Sequence, residues 1–205
     1  MINRKQIGLI ATITPVWFLV VYLAMSSRRP EYSHLTKAVS ELGSLDAPNL
    51  WAWNILGYII PGLAVSLLGI GIKREFSDSN KNTLVPAMAV IASGLFMALS
   101  GVFPGDFENR TSTTMILHTV GSLGSFVAFL VAGFWLPKFF RSRQDWRWVA
   151  LPSLILVIGS IVTGFLRSGE APGLGQRFGF ACYFLWVGLV GLALFRSNSR
   201  INAAA

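Results

Sequence analysis

The sequence contains few charged residues and a single cysteine, and both shortages narrow the kind of protein that it encodes. Charged residues make up 13% of the 205 positions, about half of the roughly 25% found in soluble domains. Cys182 has no second cysteine with which to form a disulfide, and the metal-binding spacings HExxH and CxxC do not occur. These features argue against a soluble domain, a disulfide scaffold and a standard zinc motif.

The apolar residues, 53% of the chain, are concentrated in long runs. A helix of about 20 residues crosses a hydrocarbon core of about 30 Å, and six runs reach that length: 7–25, 51–72, 84–103, 114–137, 147–166 and 176–195. The runs are continuous rather than alternating, so they predict helices and not the strands of a membrane barrel. We therefore predict a single-domain (1–205), all-α integral membrane protein whose six transmembrane helices form three hairpins that open outward.

The basic residues predict which way these helices face. With both termini in the cytoplasm, eleven of the 17 Lys and Arg residues lie inside and six outside, as the positive-inside rule requires. The acids divide three inside and six outside, so the inner face carries the whole net charge of +8. The charge is thus explained by topology. We predict a multi-pass protein of the cell (inner) membrane that contacts membrane lipids and not nucleic acid.

The longest polar interval, EYSHLTKAVSELGSLDAP, separates the first two spans at 31–48. Its apolar residues recur at spacings of three and four: Leu35, Ala38, Val39, Leu42 and Leu45. This pattern predicts an amphipathic helix over about 33–45, with Lys37 and Glu41 four residues apart and able to pair. The polar side of such a helix either faces water or covers the mouth of the helical bundle, and the pattern allows both.

Four segments carry a family resemblance. They are YSHLTKAVSELGS before the second span, FPGD at the end of the third, Leu117-His118-Thr119 in the fourth and GLGQR at the start of the sixth. Together they resemble the domain-of-unknown-function 998 family of six-span prokaryotic membrane proteins, over nearly the whole chain. The most specific part runs from Ser33-His34 to Ser40-Glu41-Leu42-Gly43. The resemblance implies a six-span fold and its topology and, as the family name states, no established activity.

The polar residues that bear on function are expected near the outer membrane surface. Ionisable groups at this depth are costly and usually face the bundle interior, paired or hydrated. We predict an extracytoplasmic-leaflet pocket that binds, senses or transports a lipid or other amphiphile. Its predicted ligand-binding residues are Ser40, Glu41, Asp106, His118, Arg167, Glu170 and Arg177.

A membrane-embedded hydrolase or metalloenzyme is the first alternative. His34, Glu41, Asp106 and His118 supply the imidazole and carboxylate groups that zinc or iron accepts, although they come from separate elements. Ser40 could act as a nucleophile with His34 or His118 as its base and Asp106 to orient that base, although no nucleophile-elbow motif surrounds it. The sequence identifies no cofactor.

A structural or assembly subunit without a site is the second alternative. In that case Asp106 and Glu170 would pair with Arg110, Arg167 and Arg177 and so tie the outer loops together. Glu41 would help to hold the first loop in place. The residue types are compatible with this role as well as with ligand binding.

Overall fold

Six helices follow one another in the computed structural model, which describes residues 2–77, 83–165 and 171–197. They are α1 (Arg4–Ser26), α2 (Leu50–Glu75), α3 (Leu84–Val102), α4 (Thr113–Arg141), α5 (Arg147–Phe165) and α6 (Pro172–Arg196). Each is long and apolar enough to cross a membrane, and the described residues contain no strand. The prediction of an all-α protein with six spans is confirmed.

The six helices pack into a bundle in which the first helix also contacts the last. Each contacts the next along the chain, and α1 also lies against α6. Gly62 of α2 and Gly94 of α3 face each other so closely that a Cβ on either would fall within 3.0 Å of the backbone of the other helix. Small residues at such positions let helices approach where no hydrophobic effect drives their association. The outward opening of the hairpins and the cytoplasmic termini stay predictions of the charge pattern.

Helix α2 changes its hydrogen-bond pattern near its start. Residues Asn54–Ile59 form a π-helix, in which each N–H donates to the carbonyl five residues before it. The N–H that would serve the Leu56 carbonyl belongs to Pro61, and proline has none. The indole N–H of Trp17 in α1 donates to this carbonyl instead, at 2.9 Å. A neighbouring helix thus supplies the donor that the proline lacks.

The first loop, residues 27–49, is not the predicted amphipathic helix. In place of a helix over 33–45, the structure has a turn at 34–36 and a five-residue 3-10 helix, Val39–Gly43. Val39 and Leu42 are buried, as the pattern predicts, but Leu35 and Leu45 are about half exposed. The prediction of a three-turn amphipathic α-helix is therefore not confirmed.

The backbone hydrogen bonds of the loop explain this difference. In an α-helix the Val39 N–H would donate to the Leu35 carbonyl. Here the Val39 N–H donates to Gln176 Oε1 at 2.5 Å, and the Leu35 carbonyl accepts from the Gly173 N–H at 2.7 Å. The start of α6 supplies the partners that a continuous helix would find within itself. Helical periodicity carries no information about such distant partners.

Candidate functional site

Arg177 joins three elements at the end of the bundle that carries the first loop, here called the loop end. Its Nε donates to Tyr22 OH at 2.6 Å, and its Nη2 donates to Tyr32 OH at 2.7 Å. Its Nη1 donates to the carbonyls of Lys37 and Gly173, at 2.9 and 2.7 Å. The guanidinium carbon lies 5.7 and 5.3 Å from the centroids of the two tyrosine rings, within the range of a cation–π contact.

No acid among the described residues balances the charge of Arg177. Among the described residues no carboxylate lies within ion-pair distance of its guanidinium, since the ion pairs found there involve Arg4, Arg29, Lys37 and Arg143. The hydrogen bonds of Arg177 go to neutral oxygens, and they use four of its five N–H groups. Since no described carboxylate pairs with it, this guanidinium is suited to an external anion.

His34 extends this group of side chains toward the surface. Its Nδ1 is hydrogen-bonded to Tyr22 OH, and its exposed ring lies edge-on to Tyr22 and Tyr32, with centroids 5.6 and 5.5 Å away. Tyr22 OH accepts from Arg177, so the hydroxyl proton of Tyr22 can be donated to His34 Nδ1. The imidazole then carries its own proton on Nε2, and this N–H can donate to another group. Arg177, Tyr22, Tyr32 and His34 are called the Arg177 cluster below.

Ser40 and Glu41 have local surroundings within the 3-10 helix. Ser40 is buried, with 6% of its surface exposed. The Glu41 carboxylate pairs with Lys37 Nζ at 2.9 Å, as predicted, and accepts from the Ala38 N–H at 2.7 Å. The Glu41 carbonyl accepts from Arg29 at 2.6 Å. These bonds hold the first loop together.

Asp106 and His118 also bond to nearby backbone. Asp106 Oδ1 accepts from the Asn109 N–H at 2.9 Å. His118 is buried, and its Nδ1 lies 2.9 and 3.0 Å from the carbonyl oxygens of Ser100 and Phe103. Carbonyl oxygens only accept, so Nδ1 carries the proton. His118 thus ties α4 to the end of α3.

The structure does not bring the candidate catalytic or metal-binding residues together. The described part of the chain contains no group of three or more His, Cys, Asp or Glu side chains able to hold a metal ion. The hydrogen bonds of both histidines go to Tyr22 and to backbone carbonyls rather than to Ser40. Arg167 and Glu170 lie outside the described residues. Among the predicted site residues, Arg177 and His34 are connected, because both are hydrogen-bonded to the hydroxyl of Tyr22.

Sequence reasoning missed the two tyrosines of the cluster. Tyr22 lies near the end of the first span and Tyr32 just beyond it. Tyrosines are frequent at membrane interfaces, because the ring is apolar and the hydroxyl needs a partner. That preference could have drawn attention to both residues, but it could not have paired them with Arg177.

Aromatic rings continue from the Arg177 cluster into the bundle. The Tyr22 ring lies 6.4 Å from that of Trp53, and the Trp53 ring lies 5.8 Å from that of Tyr58. Tyr58 in turn lies 5.9 Å from His118. Trp53 and Asn54, at the junction with the π-helix, are almost completely buried under the first loop.

Comparison with known proteins agrees with the resemblance read from the sequence. The model of the family described as "Protein of unknown function (DUF998)" matches residues 12–193. The chain therefore belongs to this family. No curated protein and no solved structure matches the chain.

Proposed function

We propose that this multi-pass membrane protein binds an anionic lipid or other anionic amphiphile at the loop end, with Arg177 as the residue that holds the anionic group. The observation that carries the proposal is the environment of Arg177, whose charge has no described carboxylate beside it. A guanidinium suits phosphate and carboxylate oxygens, because its N–H groups form charge-assisted hydrogen bonds with them. Binding is the step that sensing and transport of an amphiphile share.

The neighbouring groups fit the same ligand. His34 is exposed and has a second ring nitrogen available to an anionic oxygen. The Lys37 side chain, whose ammonium pairs with Glu41, is 46% exposed, and Arg177 donates to the carbonyl of the same residue. Leu23 and Leu35 each expose about half of their surface close by in the chain, so an apolar tail has surface to contact. The combination of cationic donors and exposed apolar groups favours an amphiphile over a free anion.

The enzymatic alternative has no supporting contact among the described residues. His34, Glu41, Asp106 and His118 each bond to a different neighbour, and the two histidines do not bond to Ser40. The stronger competitor is a purely structural role, in which Arg177 serves only to join the first loop to α1 and α6. Binding measurements separate the two.

The test is native mass spectrometry of the full chain in detergent with added phosphatidylglycerol or zwitterionic phosphatidylcholine. We expect wild-type protein to retain the anionic lipid preferentially, and Arg177→Gln to weaken its retention about tenfold, as for the loss of one charge-assisted contact. Arg177→Lys should keep part of the preference, because it keeps the charge. The matched control is Arg110→Gln, which alters an exposed arginine at the same end.

A wild-type protein that binds the two lipids equally would overturn the proposal. So would an anionic preference that Arg177→Gln leaves intact, provided that both proteins remain folded by circular dichroism. In either case the structural role of Arg177 would be the surviving explanation.

A further inference from the structure

A buried pair of polar groups lies under the first loop, one aromatic ring deeper than Arg177. Trp53 and Asn54 are 0% and 1% exposed, and neither Trp53 Nε1 nor Asn54 Oδ1 has a hydrogen-bond partner among the residues that the structure describes. The two groups are complementary, because the indole N–H only donates and the amide oxygen only accepts. Each unpaired buried group is unfavourable, so a single group that served both would stabilise the site.

The orientation of the Asn54 amide is determined by its other bond. Asn54 Nδ2 donates to the Gly43 carbonyl at 2.8 Å. A carbonyl oxygen cannot donate, so the amide cannot be turned around, and Oδ1 is the atom left over. Both side chains meet at Gly43, where a Cβ would lie within 3.0 Å of the Trp53 ring and of Asn54 Oδ1. The acceptor Oδ1 and the Trp53 ring carbon Cδ1, which is bonded to the donor Nε1, therefore lie close to the same point beneath the loop.

We propose that Trp53 Nε1 and Asn54 Oδ1 form a subsite for a hydroxyl group in the headgroup of the bound amphiphile. A hydroxyl oxygen accepts from the indole N–H, and its proton is donated to Asn54 Oδ1, so that one group satisfies both. An ionised phosphate or carboxylate oxygen has no proton to offer the amide oxygen. This inference rests on the proposed function, because Arg177 holds the anionic part of the same headgroup.

The first loop controls access to this subsite. Gly43 is the last residue of the 3-10 helix, Val39–Gly43. The start of α6 holds this part of the loop, because Gln176 accepts from the Val39 N–H and Arg177 donates to the Lys37 carbonyl just before the helix. An anion on Arg177 competes with the Lys37 carbonyl for the same N–H groups and so weakens the hold on the loop. Binding of the anionic part thereby favours the movement that uncovers the hydroxyl subsite.

Tyr22 contacts both parts of the site. Its ring centroid lies 5.7 Å from the Arg177 guanidinium carbon and 6.4 Å from the centroid of Trp53. The ligand class is therefore an anionic amphiphile whose headgroup also carries a hydroxyl.

The test compares phosphatidylglycerol with phosphatidylmethanol of the same acyl chains, because both carry one phosphodiester charge and only the former has hydroxyls. We expect wild-type protein to bind phosphatidylglycerol about tenfold more tightly, as for one well-satisfied buried hydrogen-bonding group. Trp53→Phe, which removes the N–H and keeps an aromatic ring, should reduce phosphatidylglycerol binding to the level of phosphatidylmethanol. The control Trp17→Phe removes an indole N–H that already serves Leu56 and should leave the ratio unchanged.

Asn54→Leu provides a second variant, which removes the acceptor and should abolish the same difference. Equal affinity of the wild-type protein for the two lipids would overturn the subsite, while leaving binding at Arg177 intact. A preference for phosphatidylglycerol that survives Trp53→Phe would also overturn it. If neither anionic lipid binds better than phosphatidylcholine, the proposed function itself fails, and the subsite with it.

Discussion

Arg177 Nε in α6 donates to Tyr22 OH in α1 across 2.6 Å, although the two residues are 155 positions apart in the chain. The same hydroxyl is hydrogen-bonded to His34 in the first loop. One tyrosine oxygen therefore connects the start of α6, the end of α1 and the loop that covers them. The stability of the loop end should depend on this contact.

We expect Tyr22→Phe to lower the free energy of unfolding by about 1.5–3 kcal/mol, the usual contribution of a hydrogen bond to a charged group. A double-mutant cycle with Arg177→Gln should give a coupling energy of similar size, measured by denaturant unfolding in detergent. Tyr183→Phe is the control, because its hydroxyl bonds to Ser93 instead. Equal coupling of both tyrosines to Arg177 would contradict the assignment.

Tyr32 should make stability depend on pH in the alkaline range. Burial raises the pKa of Tyr32, and the positive charge of Arg177 offsets this only in part. The neutral hydroxyl is therefore favoured in the folded protein, and its stabilising contribution is complete below the unfolded pKa of about 10 and is lost as the pH rises above it toward the folded pKa. Between about pH 8 and about pH 11 the wild-type protein should lose more unfolding free energy than Tyr32→Phe. An identical loss in both proteins would count against this role.

Gly43 should tolerate no side chain. A Cβ at this position would lie within 3.0 Å of Trp53 and Asn54, so Gly43→Ala forces the loop away from α2 and should cost about 1–3 kcal/mol. Gly164 in α5 has nothing within 4 Å of an added Cβ, and Gly164→Ala should be neutral or stabilise the helix by up to about 1 kcal/mol. Thermal unfolding of both variants checks the contrast. Equal effects would show that the loop adapts to the methyl group.

Glu75 should be the most sensitive acid at the opposite end of the bundle. Its side chain is 2% exposed and pairs with both Arg4 and Arg143, the latter at 2.7 Å. Glu75→Gln keeps the shape but leaves two arginines without their shared carboxylate, so we expect a loss of about 3–5 kcal/mol in unfolding free energy. The control Glu108→Gln changes an exposed acid and should have little effect. If Glu75→Gln had as little effect as Glu108→Gln, the ion pairs of Glu75 would not stabilise the fold.

The predicted topology can be tested by labelling of single cysteines in a Cys182→Ala background. Asp46 is exposed at the loop end, and Gln144 is exposed in the turn between α4 and α5. With cytoplasmic termini, an impermeant maleimide added to intact cells should label Asp46→Cys and leave Gln144→Cys unlabelled until the cells are opened. The reverse pattern would place the termini outside.

The membrane fold could be predicted because its determinants are local. Apolar runs such as 84–103 are long enough to cross a bilayer, and a spanning segment must satisfy its backbone groups internally. The pairing of Lys37 with Glu41 was also predictable, since it needs only a separation of four residues. In contrast, Val39 and Leu35 exchange helical hydrogen bonds for partners about 140 residues away. A local pattern therefore predicted the wrong conformation for the first loop.

The sequence by itself determined that this chain has six segments long and apolar enough to cross a membrane and that it resembles its family, and it predicts that the polar residues that bear on function lie near the outer surface. Hydrophobic length and charge distribution are properties of single segments, so they can be read without the fold. Only the tertiary structure decided which polar groups meet. In the folded chain His118 bonds to backbone carbonyls, Arg177 lies between Tyr22 and Tyr32, and Trp53 and Asn54 each have a buried polar atom that no described residue pairs. The reason is physical: a buried polar group can bond only to a partner that packing places beside it, and packing brings together residues that are far apart in the chain.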